Sequence, residues 1–116
     1  METEKLIEII GSCEVGAEKR LSALAELKKK VDLGEINAPP RGIFVNNHIH
    51  TSYSFSPYTP TSAVFNAWKA GLSTAGIMDH DSVAGIREFI RAGEIMDMPV
   101  TCGFECRVNV EGTPLV

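Results

Sequence analysis

The chain has 116 residues, about one small domain with a single core and short for a complete enzyme barrel. Its composition, 44% hydrophobic and 22% charged with a mean hydropathy of +0.02, is that of an ordinary soluble globular protein. Fifteen acidic against eleven basic side chains give a net charge of −4, which argues against a broad nucleic-acid-binding surface and against anionic membranes, though a locally basic pocket stays compatible.

No apolar stretch approaches the roughly 20 residues needed to span a bilayer. The acidic start Met1-Glu2-Thr3-Glu4 lacks the charge and apolar core of a signal peptide, so the expected location is the cytoplasm. Cys13, Cys102 and Cys106 form an odd set without Cys-x-x-Cys spacing and are expected to be reduced, buried thiols.

Residues 1 to about 33 read as helical, interrupted near Gly11-Ser12-Cys13. Leu6, Ile9 and Ile10 share one side of the first piece; Ala17, Leu21, Leu24, Ala25 and Val31 recur at helical spacing in the second. Lys28-Lys29-Lys30 suits the carbonyl end of that helix, and Gly34 suits its stop. Pro39 and Pro40 then force a connector, so residues 1–42 form an amino-terminal helical segment and linker, and 43–116 a second unit.

Ile43 to His50 is the first expected strand, with Phe44, Asn46, His48 and His50 on one face. A loop over Thr51–Thr61 leads into a helix from Pro60 or Thr61 to Ala70, with Val64 and Trp68 four apart and Gly71 as its stop. Leu72 to Met78 is the second strand, running into Asp79-His80-Asp81, with His80 and Asp79 on opposite faces. A helix from Ser82 to about Asp97 follows, capped by Asp81 or Ser82 and packing through Val83, Ile86, Phe89, Ile90 and Gly93. Val100 to Val110 is the third strand, its even positions apolar and Glu105 on the other face; the residues beyond it are turn-like.

Strands separated by single helices at βαβ spacing imply a parallel sheet. In such sheets chemistry gathers where the βα loops open, at the strands' carboxyl ends. His48, His50, His80 and Glu105 all fall late in three successive strands. Imidazoles with one carboxylate suit zinc, manganese or iron, and a carboxylate can bridge two ions. Each residue also has a plain structural reading: His80 as a loop cap, Glu105 as a partner of Arg107.

The segments His48-Ile49-His50-Thr51-Ser52-Tyr53-Ser54, Ile77-Met78-Asp79-His80-Asp81 with Gly85, and Gly103-Phe104-Glu105 resemble the first three motifs of the PHP (polymerase and histidinol phosphatase) superfamily of metal-dependent phosphoesterases. The resemblance covers about residues 43–110. It implies an α/β fold, the first three β/α units of a distorted seven-stranded barrel, truncated after the third strand. It also implies a site of two or three divalent ions, with His48, His50 and His80 as ligands, Glu105 as a bridging ligand and Asp79 in a supporting role behind them. The substrate it implies is a phosphorylated small molecule or a phosphodiester, cleaved by metal-activated water.

Phe55-Ser56 stands where many members carry an acidic residue, and the family's later histidines and final Asp-x-His motif have no counterpart in these 116 residues. The expectation is therefore an amino-terminal portion of a longer protein, active if further sequence or another subunit completes the site. Alternatives are a non-catalytic metal- or partner-binding module and an amidohydrolase-like hydrolase, whose class also begins with His-x-His on a barrel strand. Tyr53, Tyr58, Arg41 and Arg107 are candidate phosphate contacts, and an open sheet edge predicts homo-oligomerisation.

Overall fold

The structure, a computed structural model, describes residues 1–54, 56–80, 83–105, 108–110 and 113–115; the side chains of Ser54, His80, 108–110 and 113–115 fall outside that description. In chain order the elements are α1 (Thr3–Ile10), α2 (Ala17–Asp32), β1 (Val45–Ile49), a short 3-10 turn (Ser52–Ser54), α3 (Pro60–Lys69), β2 (Thr74–His80), α4 (Ile86–Ile95), β3 (Val100–Glu105), β4 (Val108–Val110) and β5 (Thr113–Leu115). β1, β2 and β3 form a parallel sheet in that order. The described chain is thus an α/β fold with four helices and a three-stranded parallel sheet.

α3 is the packing centre. Thr59 caps it by accepting from the Ser62 N–H, Pro60 opens it, and Val64, Phe65, Ala67 and Trp68 are buried along it. Leu6 and Ile10 of α1, Ala23, Leu24 and Leu27 of α2, Ala75 and Ile77 of β2 and Phe89 and Ala92 of α4 complete one apolar cluster, so the amino-terminal helices share a core with the α/β unit. Arg41 ties the connector to the carboxyl end of α3, donating to the carbonyls of Trp68 (2.6 Å) and Leu72 (3.1 Å) over the Trp68 ring.

Three helices end alike. After α2, α3 and α4, the residues Gly34, Gly71 and Asp97 adopt positive φ, and the next N–H bonds back to the carbonyl of Lys30, Ala67 or Gly93. This double-bonded stop satisfies carbonyls that the helix end would otherwise leave open. The Gly34 and Gly71 stops are those expected; Asp97, with φ 53°, does the same work without being glycine.

Several expectations are corrected. β1 begins at Val45 and not Ile43, and its alternation is broken: Asn46 lies beside Ala75 but Ile49 beside Ile77, so one extra residue is inserted between them. Adjacent residues of parallel strands share a face, so Asn46 and Ile49 both lie on the helix-covered side, and Asn46 does not share a face with both histidines. The Asn46 side chain accepts from the His48 N–H (3.0 Å), satisfying a donor at the irregularity.

The packed face of α2 is wider than its expected stripe: Leu24 is buried and Leu21 and Val31 pack against the core, but Arg20, Ala23 and Leu27 are buried beside them. α4 starts at Ile86, a turn later than expected, leaving Val83 exposed, while the expected caps Asp81 and Ser82 lie outside the described residues. The expected third strand is divided: β3 covers Val100–Glu105, while β4, expected as its continuation, pairs antiparallel in a separate ribbon with β5, which lies where turn-like residues were expected. The apolar side of β3 is core only at its start: Val100 packs against the cluster, while Cys102 and Phe104 are exposed. Cys13 is exposed as well, and Cys106 lies outside the described residues. No helix among the described residues is long and apolar enough to cross a membrane.

Candidate metal centre

The sheet register decides which strand ends meet. β2 and β3 pair without interruption from Ala75 and Val100 to His80 and Glu105, so the last residues of both strands are neighbours. β1 lies on the other side of β2, and its extra residue falls just before its carboxyl end, where His48 and His50 are carried. Gly76 permits this close approach: a Cβ there would sit 2.7 Å from the Asn47 Cα and 3.0 Å from the Asn47 carbonyl oxygen.

Across that glycine, β1 and β3 reach one another. Thr101 donates from its hydroxyl to the Asn47 side chain (3.2 Å), and further along the Glu105 carboxylate touches Nε2 of His48. The same carboxylate oxygen is 4.0 Å from Nε2 of His50. The two imidazoles stand edge to face, centroids 4.9 Å apart.

His48, His50 and Glu105 each present a ligand atom, and all three atoms lie within 4.8 Å of one another. Nitrogen and oxygen ligands of a zinc-sized ion, about 2.0–2.2 Å from it, stand roughly 3.5 Å apart around a tetrahedron, so modest side-chain rotation brings this set to ligating distance. The donor set of two imidazoles and a carboxylate therefore fits a divalent ion. The side chains are graded in exposure, from 60% for His48 through 30% for His50 to 19% for Glu105, so the site opens toward solvent on the His48 side.

His80, the other expected ligand, ends β2 in register with Glu105; its side chain lies outside the described residues. Phe55 and Arg107 lie outside them as well. Asp79 is buried and does not join the cluster. Its two oxygens accept from the N–H (2.6 Å) and the hydroxyl (2.7 Å) of Thr51, the residue directly after His50.

Of the candidate phosphate contacts, Tyr53 and Tyr58 are exposed on the loop after His50. Arg41 sits before β1, at the opposite end of the strand, and is occupied with the carboxyl end of α3. Sequence reasoning overlooked Thr51, although a threonine following His-x-His offers two donors beside the ligand pair.

No protein-family model matches this chain. It is 32% identical over 65 residues to a 5'-3' exoribonuclease of Haemophilus influenzae, a match covering 56% of this chain and 24% of that protein. The crystal structure of a Bifidobacterium adolescentis protein, provisionally named a metal-dependent phosphoesterase, matches with a TM-score of 0.57 at 33% identity, over 66% of this chain and 27% of that one. The chain spans about a quarter of the length of these two proteins.

Proposed function

We propose that this chain carries the first part of the metal site of a PHP-type, metal-dependent phosphoesterase. The observation that carries the reading is the convergence of His48, His50 and Glu105 at the carboxyl ends of β1 and β3, where parallel β/α folds place their chemistry. The resemblance to the Bifidobacterium protein supports the same class. In this reading His48, His50 and Glu105 hold a divalent ion, zinc, manganese or iron, and His80, in register with Glu105, adds a ligand from β2. A second or third ion would share the Glu105 carboxylate.

A bound divalent ion supplies an acidified water and offsets charge on phosphoryl oxygens. The chain's own residues supply the frame. Glu105 presents one oxygen toward both imidazoles, as a third ligand of the same ion would. Asp79 holds the backbone that follows His50.

The substrate is a phosphate ester. The Haemophilus relative supports a phosphodiester at a nucleic-acid end, while the net charge of −4 suits a small substrate better than a long duplex. The outward exposure of His48 favours a site completed by groups beyond these three, His80 among them.

The test is hydrolysis of p-nitrophenyl phosphate and bis-p-nitrophenyl phosphate by the purified chain with added Mn²⁺ or Zn²⁺, with His50→Ala as control. Metal-dependent turnover lost in the variant supports the phosphoesterase reading. Tight metal binding without turnover supports a binding module, and absence of metal binding contradicts both.

A further inference from the structure

We infer that Asp79 and Thr51 form a buried latch that positions His50 for metal binding, an inference that rests on the metal-site reading above. Asp79 is 1% exposed and Thr51 is fully buried. Both carboxylate oxygens are committed to one residue: Oδ1 accepts from the Thr51 N–H at 2.6 Å and Oδ2 from the Thr51 hydroxyl at 2.7 Å. Among the described residues no lysine or arginine pairs with Asp79. A buried carboxylate without a cation survives only where its oxygens are well hydrogen-bonded, and here a single threonine supplies both bonds.

That geometry constrains more than a simple tie between strand and loop. The N–H bond fixes the peptide plane joining His50 to Thr51, and the hydroxyl bond fixes the Thr51 side-chain rotamer. The Thr51 hydroxyl oxygen in turn lies 3.4 Å from the Tyr53 N–H, and its carbonyl accepts from the Ser56 N–H at 3.2 Å, so the turn beyond the histidines is built on the latched residue. The Cα of His50 is thereby held one peptide plane from a rigid anchor.

The anchor belongs to β2, which pairs with β1 on one side and with the Glu105-bearing β3 on the other. The latch thus couples the strand carrying the imidazoles to the strand aligned with the carboxylate. Asp79 acts through Thr51 and is a positioning residue.

The test is Co²⁺ titration of the whole chain, followed by its visible absorption, with amide hydrogen exchange of the metal-free chain alongside. Asp79→Ala weakens Co²⁺ binding about 10- to 100-fold, the range found when groups supporting metal ligands are removed, and alters the spectrum. Asp79→Asn and Thr51→Val each keep one acceptor–donor pairing and lose less. Thr51→Ser keeps both donors and stays within about twofold of the wild type. In the metal-free chain the Thr51 amide exchanges slowly, and Asp79→Ala removes that protection.

Leu27→Val, in the core of α2, is the stability control, compared at a temperature where every variant is folded by circular dichroism. The latch is overturned if Asp79→Ala binds Co²⁺ with wild-type affinity and spectrum while His50→Ala does not bind it. It is equally overturned if Leu27→Val loses as much affinity as Asp79→Ala. Absence of Co²⁺ binding by the wild type overturns the metal-site reading and the latch together.

Discussion

Arg20 of α2 and Glu88 of α4, 68 residues apart, form a buried two-point ion pair, with Nε to Oε2 at 2.9 Å and Nη2 to Oε1 at 2.6 Å. Glu88 also accepts from the N–H (3.1 Å) and hydroxyl (2.7 Å) of Thr61, and Arg20 donates to the carbonyls of Ser12 and Val15. One network therefore holds the α1–α2 turn, α2, the start of α3 and α4 together. Removing one member leaves the other charge buried without its partner. Glu88→Ala is expected to cost about 3–5 kcal/mol in urea unfolding. Arg20→Met with Glu88→Leu should cost less than either single removal, the residual reflecting the unpaired Thr61 donors.

Acid should loosen the same network. Burial alone would raise the Glu88 carboxyl, but the hydrogen bonds from Arg20 and Thr61 and the Arg20 charge outweigh it and hold it below its ordinary value. A carboxyl depressed by folding contributes stability that is complete above its unfolded pKa, about 4.3, and is lost as pH falls through the folded value. The urea midpoint should therefore hold from neutral to about pH 5 on this account and fall below that. A shallower acid slope in Glu88→Gln would identify the group, and an unchanged slope would assign it elsewhere.

Two glycines separate fold from site. Gly71 has φ +81°, and a Cβ there would meet the Pro40 carbonyl oxygen at 2.9 Å, so Gly71→Ala should destabilise by about 1–3 kcal/mol. It lies by the start of β1, and where the variant is folded, metal affinity should match the wild type. Gly76→Ala drives a methyl into the backbone of Asn47, next to His48, and should cost a similar amount through overpacking while also weakening metal binding. Isothermal titration with Zn²⁺ beside thermal melts distinguishes the two.

Self-association should be measurable. Ile43, Phe44 and Val45 lead into or begin β1 and are 89%, 73% and 52% exposed, while Phe104 on β3 is 51% exposed. β1 and β3 are the outer strands of the three-stranded sheet, and exposed apolar edges invite pairing with another chain. Sedimentation velocity at micromolar concentration should show concentration-dependent association that Phe44→Lys reduces. A monomer across that range would contradict it.

The parallel order β1-β2-β3 and the helices between these strands are legible because apolar periodicity and the Gly34 and Gly71 stops are local signals. The meeting of His48, His50 and Glu105 is legible for the same reason: all three lie late in strands that a parallel sheet aligns. The insertion in β1 is hidden, because it depends on how β1 docks against Gly76 and not on its own pattern. The burial of Arg20 in α2 is hidden because the side chain is charged, and nothing within α2 reveals that Glu88 waits across the core. The end of α4 near Asp97 is expected, but the left-handed conformation of Asp97 is hidden because aspartate seldom takes the conformation glycine adopts freely.

Equilibrium dialysis of the chain against Zn²⁺ and Mn²⁺, read by elemental analysis, tests the central claim most directly. The account predicts at least one ion bound per wild-type chain, with His48→Ala, His50→Ala and Glu105→Gln each weakening binding while leaving the fold intact by circular dichroism. A wild-type chain that binds neither ion, or variants that bind as the wild type does, would contradict it.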